Sequence, residues 1–182
     1  MSFIMVDVET DGEIPGDFSM IELGAVVVRR GENWKDTSGL KDTFHGKLHP
    51  VSDRWNDDAL KVSNHTREET LLFDDPIKVM TEFSSWITAK SIGKRPMFIS
   101  DNNGFDWSFV NWYFHHFLGT NPFGHSSTNL GSLYKGLVKN MHQNFKHLRI
   151  TRHTHNPVDD AMGNAEALLN IAERSGLKII LE

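Results

Sequence analysis

Two carboxylates stand two residues apart near the start of the chain, in Asp7-Val8-Glu9-Thr10-Asp11-Gly12. The residues around them alternate. On a strand over residues 2–9, Phe3, Met5, Asp7 and Glu9 share one face, and Ile4, Val6 and Val8 share the other. Both carboxylates then point the same way. Two like charges on an otherwise apolar strand repel each other unless a cation sits between them. The same residues also suit a strand end that enters a solvated Asp-Gly turn.

Two more segments carry chemistry-bearing side chains. Asp101-Asn102-Asn103-Gly104-Phe105-Asp106 falls between a short apolar strand and a helix, where Asp106 is also well placed as an N-cap. His155-Asn156-Pro157-Val158-Asp159-Asp160-Ala161 puts a histidine before the last helix and acids in its first turn, a position the helix dipole favours in any case. The chain has ten histidines, so one alone says little. From Lys139 to His153 there are Lys139, Lys146, Arg149, Arg152, His142, His147 and His153 and no acid, which suits a grip on phosphates or else a solvated loop.

The elements that must position these groups are legible in outline. Met20 to Arg29 reads as a buried strand and Thr43 to Leu48 as a third, with a polar connection over 30–42. Thr66-Arg67-Glu68-Glu69 matches a capping box, and Asp75-Pro76 matches an N-cap followed by a first-turn proline. Ile77, Met80, Phe83 and Ile87 then recur at helical spacing. Pro96 to Ser100 is a short apolar strand. Phe109, Val110, Tyr113, Phe114 and Phe117 mark the next helix, and Leu130, Leu133, Leu137 and Met141 another. The last helix starts near Pro157 and buries Val158, Ala161, Met162, Ala165, Leu168, Leu169 and Ala172. Strands first, then strand and helix in alternation, predict an α/β fold with a mixed sheet covered by helices.

Composition bounds the chemistry. The chain has 182 residues, enough for one domain over 1–182, with 38% hydrophobic and 24% charged residues. It has no cysteine, so a metal must be held by carboxylates or histidines. The net charge of −5 argues against a long electrostatic footprint on nucleic acid, but not against a site that grips a few terminal nucleotides around bound cations. There is no membrane-length apolar run and no signal-peptide pattern, so no membrane association and a cytoplasmic location are expected.

In order and context, the three motifs resemble the DEDDh exonucleases, the family of the bacterial DNA polymerase III proofreading subunit, ribonuclease T and oligoribonuclease. That family carries D-x-E on the first strand, N-x-x-F-D at a strand-to-helix junction and H-x-x-x-x-D before the final helix. These match Asp7/Glu9, Asn102/Phe105/Asp106 and His155/Asp160, and Met20-Ile21-Glu22-Leu23-Gly24-Ala25-Val26 resembles the family's second strand. The spacing from His155 selects Asp160 over Asp159, and His153 is the rival for His155. Val62-Ser63-Asn64-His65-Thr66 departs from the V-H-G-I type loop of many relatives. Trp107, directly after Asp106, could stack on a base or pack in the core.

The resemblance implies a ribonuclease H-like fold and 3′→5′ hydrolysis of single-stranded RNA or DNA, with a slight lean to RNA. Asp7, Glu9, Asp106 and Asp160 would hold two Mg²⁺ or Mn²⁺ ions, oxygen ligands suiting such hard cations. Glu9 and His155 would be catalytic, with His155 as general base, since a histidine exchanges protons near neutral pH. Thr10, Asn102, Phe105, Trp107, His65, Lys146, Arg149 and Arg152 are candidate substrate contacts. A homodimer is suggested by ribonuclease T and oligoribonuclease. Two other readings stay open: a non-catalytic nucleic-acid-binding module of the same fold, and a metal phosphoesterase acting on small nucleotides.

Overall fold

The alternating N-terminal segment forms the centre of a five-stranded sheet in the computed structural model, which describes residues 2–33, 35–93 and 95–179. The strands are β1 (Phe3–Thr10), β2 (Met20–Val28), β3 (Thr43–Lys47), β4 (Met97–Ser100) and β5 (Ser127–Asn129), in the order β3-β2-β1-β4-β5. β1 pairs antiparallel with β2 and parallel with β4; β2–β3 is antiparallel and β4–β5 parallel. The helices are α1 (Asp57–Val62), α2 (Arg67–Thr70), α3 (Pro76–Lys90), α4 (Asn103–Tyr113), α5 (Leu130–Val138) and α6 (Pro157–Ser175). A π-helical turn, Phe114–Leu118, continues α4.

The period-2 pattern of β1 separates two apolar layers. Ile4, Val6 and Val8 pack with Met80, Phe83 and Ile87 of α3 and with Phe109, Val110 and Tyr113 of α4. Met5 packs on the opposite face with Ala161, Ala165 and Leu168 of α6, and with Leu130 and Tyr134 of α5. Strand geometry puts Asp7 and Glu9 on the Met5 face, toward α6. All nine residues of β2 are buried, which accounts for its continuous Ile/Val run.

Gly24 of β2 pairs with Asp7, and a Cβ there would lie 2.2 Å from the Pro157 carbonyl carbon. Glycine thus lets the start of α6 approach the sheet beside Asp7. A register shift between Glu9 and Thr10 ends regular pairing at the second carboxylate, the kind of irregularity that re-aims side chains beside functional sites.

The capping box at Thr66 and the Asp75-Pro76 start of α3 have the expected form. Several details differ from expectation. Ile77 is exposed and Val79 takes the buried position, because the inner stripe of α3 runs Pro76, Val79, Met80, Phe83, Ile87. Met141 lies beyond the end of α5 and is exposed, since Lys139 in the left-handed region closes that helix. The fourth strand begins at Met97 rather than Pro96. α1 and β5 were not expected. Among the described residues, no helix is long and apolar enough to cross a membrane.

Candidate active site

Four carboxylates from three elements meet over the C-terminal half of β1. Asp7 and Glu9 lie on the strand, Asp106 in the first turn of α4 and Asp160 in the first turn of α6. Asp7, Glu9 and Asp160 each offer an oxygen within 4.8 Å of the others. Asp106 is tied to the same strand by a hydrogen bond from the Val8 backbone, and its Oδ2 is buried with no hydrogen-bond partner. Asp106 is not the N-cap of its helix: Asn102 holds that position, and the Asp106 backbone N–H donates to the Asn102 carbonyl. A cap would face its own helix end. One turn further in, Asp106 faces the sheet.

The local sequence of α6 separates its two acids. Asn156 caps the helix by accepting from the Val158 and Asp159 N–H groups, and Pro157 supplies the fixed first turn. Asp159 turns to the Thr154 hydroxyl at 2.9 Å. Asp160 is buried and accepts from the Thr154 N–H at 3.2 Å and the His155 N–H at 3.1 Å. Two backbone donors and a helix start therefore orient the Asp160 carboxylate.

His155 has φ +58, a left-handed conformation uncommon outside glycine, and its Nδ1 lies 3.9 Å from Glu9 Oε1. His153 places Nδ1 2.7 Å from Asp160 Oδ1. The two imidazole centroids are 4.2 Å apart.

The cluster holds more negative charge than its surroundings support. Burial, then Asp106, Glu9 and Asp160, push Asp7 well above its ordinary 3.8, partly opposed by Arg149. Burial, then Asp160, Glu22 and Asp106, raise Glu9 from 4.5 to about 8. Burial also raises Asp106 to about 7, against a hydrogen bond from Ser100 and with a further push from Asp101. A cation among these oxygens would relieve both desolvation and repulsion. An all-oxygen donor set with one orphaned carboxylate oxygen fits a hard divalent ion.

The cationic segment before His155 is not a uniform phosphate grip. Lys146 and Arg152 are exposed, but Arg149 turns inward with 7% side-chain exposure. Its guanidinium donates to Asn164, lies 3.4 Å from Asp101 and 4.0 Å from Asp160, and stands over the Phe145 ring. Arg149 is an internal counter-ion of the carboxylate cluster. Gly163 makes room for it: a Cβ there would lie 3.1 Å from the Arg149 side chain and 2.8 Å from the Thr151 carbonyl.

A cleft of about 310 Å³ opens beside Glu9, between β1, α1 and α4, lined by Val8, Thr10, Gly12, Asn56, Ala59, Val62 and Phe105 among others. Thr10 and Phe105, named from the sequence, are part of its wall. Ala59 and Val62 come from the unexpected α1 and Asn56 from its N-cap. Asn102 is exposed at the head of α4. Trp107 packs against the core, with its ring edge-on to Phe98 at 5.1 Å. His65 lies 3.2 Å from the buried Glu22, which Lys47 and His45 also approach. Burial alone would raise Glu22, but hydrogen bonds from His45, Lys47 and His65 outweigh it and bring the group down to about 2. A lone glutamate in an apolar strand was the only sequence signal for this network.

The exonuclease family model of the RNase T type matches residues 4–168. The chain belongs to this exonuclease family. Among curated members, the 3′-5′ DNA exonuclease Cap18 of Escherichia coli is 36% identical over 139 residues, which is 74% of this chain and 68% of Cap18. The structure of cell-death related nuclease 4 superposes with a TM-score of 0.73 at 14% identity, over 95% of this chain and 64% of that one. The E. coli exonuclease I complex with single-stranded DNA, in its zinc-bound form, superposes with the same TM-score at 14% identity, over 97% of this chain and 41% of that one. This chain thus spans less than two thirds of either solved structure. The sheet and its helices are the ribonuclease H-like fold of these exonucleases.

Proposed function

We propose that the chain is a metal-dependent 3′→5′ exonuclease that removes nucleotides from single-stranded ends by a two-metal mechanism, with His155 as general base. The observation that carries this reading is the convergence of Asp7, Glu9, Asp106 and Asp160, where burial and mutual repulsion raise the carboxyl pKa values of Asp7, Glu9 and Asp106 and mark a site built for cations. Asp7, Glu9, Asp106 and Asp160 would hold Mg²⁺ or Mn²⁺. Such ions, when bound, stabilise charge on the attacking and leaving oxygens and acidify the attacking water.

The remaining work falls to side chains around the cluster. His155 stands on a solvent-facing turn and accepts the proton of the attacking water. Glu9, 3.9 Å from its Nδ1, stabilises the imidazolium that results. The Thr154 and His155 N–H groups hold Asp160 in one orientation, so its carboxylate needs no reorganisation when ligands arrive. The cleft walled by Thr10, Phe105, Ala59 and Val62 receives the terminal nucleoside, its apolar side chains covering the base. A cleft of this size admits an unpaired end, and the net charge of −5 gives little support for tracking along a duplex. Beside the slight lean to RNA, the 36% identity to Cap18, a DNA exonuclease, supports single-stranded DNA as the substrate to test first.

The test is a time course on matched 5′-labelled single-stranded DNA, single-stranded RNA and blunt duplexes, alongside a small phosphodiester, with Mg²⁺ or Mn²⁺. Stepwise shortening of single-stranded DNA fastest of all is expected. Preference for the duplex or for the small phosphodiester would overturn the substrate assignment.

A further inference from the structure

We propose a second, zinc-class metal site formed by His153, His155 and Asp160, which competes with the active arrangement and switches the enzyme off. Each of the three offers one ligand atom, and these atoms lie within 4.8 Å of one another. His153 Nδ1 is already 2.7 Å from Asp160 Oδ1, and the two imidazole centroids are 4.2 Å apart. Glu9 Oε1, 3.9 Å from His155 Nδ1, borders the site as a further carboxylate oxygen. Both imidazoles are about half exposed, at 46% and 42% of the side chain, so the site opens to solvent and an ion can enter.

The donor set differs in kind from the carboxylate cluster beside it. Two imidazoles with one or two carboxylates are the ligands of a four-coordinate zinc ion. Mg²⁺ prefers six oxygens and retains its waters, so it gains little from the histidines. Affinity at nitrogen donors rises along the series toward Cu²⁺ and remains high at Zn²⁺. The orienting contacts such a site needs are also present. The Thr154 and His155 N–H groups fix Asp160, and the left-handed turn at His155 holds its ring beside His153. Backbone strain of this kind gathers at ligand clamps and switches.

Zinc held here takes one carboxylate from the cluster and ties up the imidazole assigned the proton-accepting role. The inhibition rests on the functional reading above; the binding does not. Zn²⁺ is therefore titrated into the full chain in saturating Mg²⁺, and the imidazole NMR resonances and the nuclease rate are followed together. The His153 and His155 resonances should move in concert, saturate at one equivalent, and track the loss of rate. In His153→Asn, which keeps a donor toward Asp160 and removes a nitrogen ligand, both transitions should need at least about tenfold more zinc, since even an outer-shell change costs that much. Resonances that stay in place, or an unchanged zinc dependence in His153→Asn, would overturn the site and put the ion on the carboxylates alone. A chain that binds zinc in this way but shows no nuclease activity without zinc would retain the site and refute the exonuclease reading.

Discussion

Stripping divalent ions from the chain and raising the pH from 5 to 8 should destabilise it, and restoring the ions should reverse the loss. Glu9 titrates at about 8 in the folded, metal-free state against an ordinary 4.5, because burial, Asp160, Glu22 and Asp106 all oppose its charge. Between those values the folded state keeps a proton that the unfolded chain has lost. The unfolded state then binds fewer protons, so stability falls as pH rises through the window. At about 1.4 kcal/mol per pH unit, the whole interval corresponds to roughly 5 kcal/mol. Asp106, raised to about 7 mainly by its own burial, and Asp7, raised by burial and its acidic neighbours, act in the same direction. Relaxation and water entry reduce the figure, and a measured loss of about 2–4 kcal/mol is expected. Glu22, lowered to about 2, is ionised throughout this range and contributes no slope. The assay is denaturant unfolding in chelator at pH 5, 6, 7 and 8, repeated with Mg²⁺, for the parent chain and Glu9→Gln. The variant should lose part of the slope, the remainder coming from Asp7 and Asp106, and, without metal at pH 8, be more stable than the parent. A parent stability that is flat or rising with pH, or a variant less stable at pH 8, would refute the electrostatic account of the cluster.

Other expectations follow from individual contacts. His155→Ala should lower the rate by about 10²–10⁴ and leave Mg²⁺ binding in place, as read by single-turnover kinetics and calorimetry; a larger loss in His153→Ala would transfer the base role to His153. Lys146→Ala with Arg152→Ala should weaken substrate binding and reduce its salt dependence by up to about two units of slope, because both side chains are exposed. Arg149→Met should instead cost about 3 kcal/mol or more in chemical denaturation, since it strips a buried guanidinium from Asp101, Asn164 and Asp160; wild-type stability would return it to the solvated surface. Gly24→Ala should cost about 1–3 kcal/mol and reduce activity, because its Cβ would lie 2.2 Å from the Pro157 backbone that carries Asp160 into place.

The parts of this structure that were legible in sequence are those set by local periodicity. Alternation along residues 3–9 placed Asp7 and Glu9 together on one face, and helical spacing found α3, α4 and α6. β5 was invisible because Ser127-Thr128-Asn129 is short, polar and half-buried, with no apolar pattern to read. α1 did leave a signal, Asn56 as cap followed by Asp57 and Asp58, but its single buried side chain, Leu60, gave no periodic stripe. The direction of Arg149 could not be read from a run of cations, because burial of a guanidinium depends on distant partners; Gly163, fourteen residues on, was the indirect trace of its path. The meeting of Asp106 and Asp160 with β1 likewise depends on long-range packing. Gly24, a glycine inside an Ile/Val strand, marked a close approach of α6 to the sheet.

The most direct test of the central claim is the rate of 3′-end shortening of a 5′-labelled single-stranded oligonucleotide, measured against Mg²⁺ and Mn²⁺ concentration for the parent chain, Asp7→Asn and Asp160→Asn. Both substitutions preserve side-chain volume and remove one charge from a cluster already strained by repulsion, while Asp160→Asn gives up one of the two oxygens that accept from Thr154 and His155, so unfolding in chelator at pH 8 is measured for both variants to verify the folded state. The account predicts a metal-dependent ladder for the parent and a loss of several orders of magnitude in each variant, with tight metal binding lost as well. Shortening without metal, or either variant turning over at the parent rate, would contradict it.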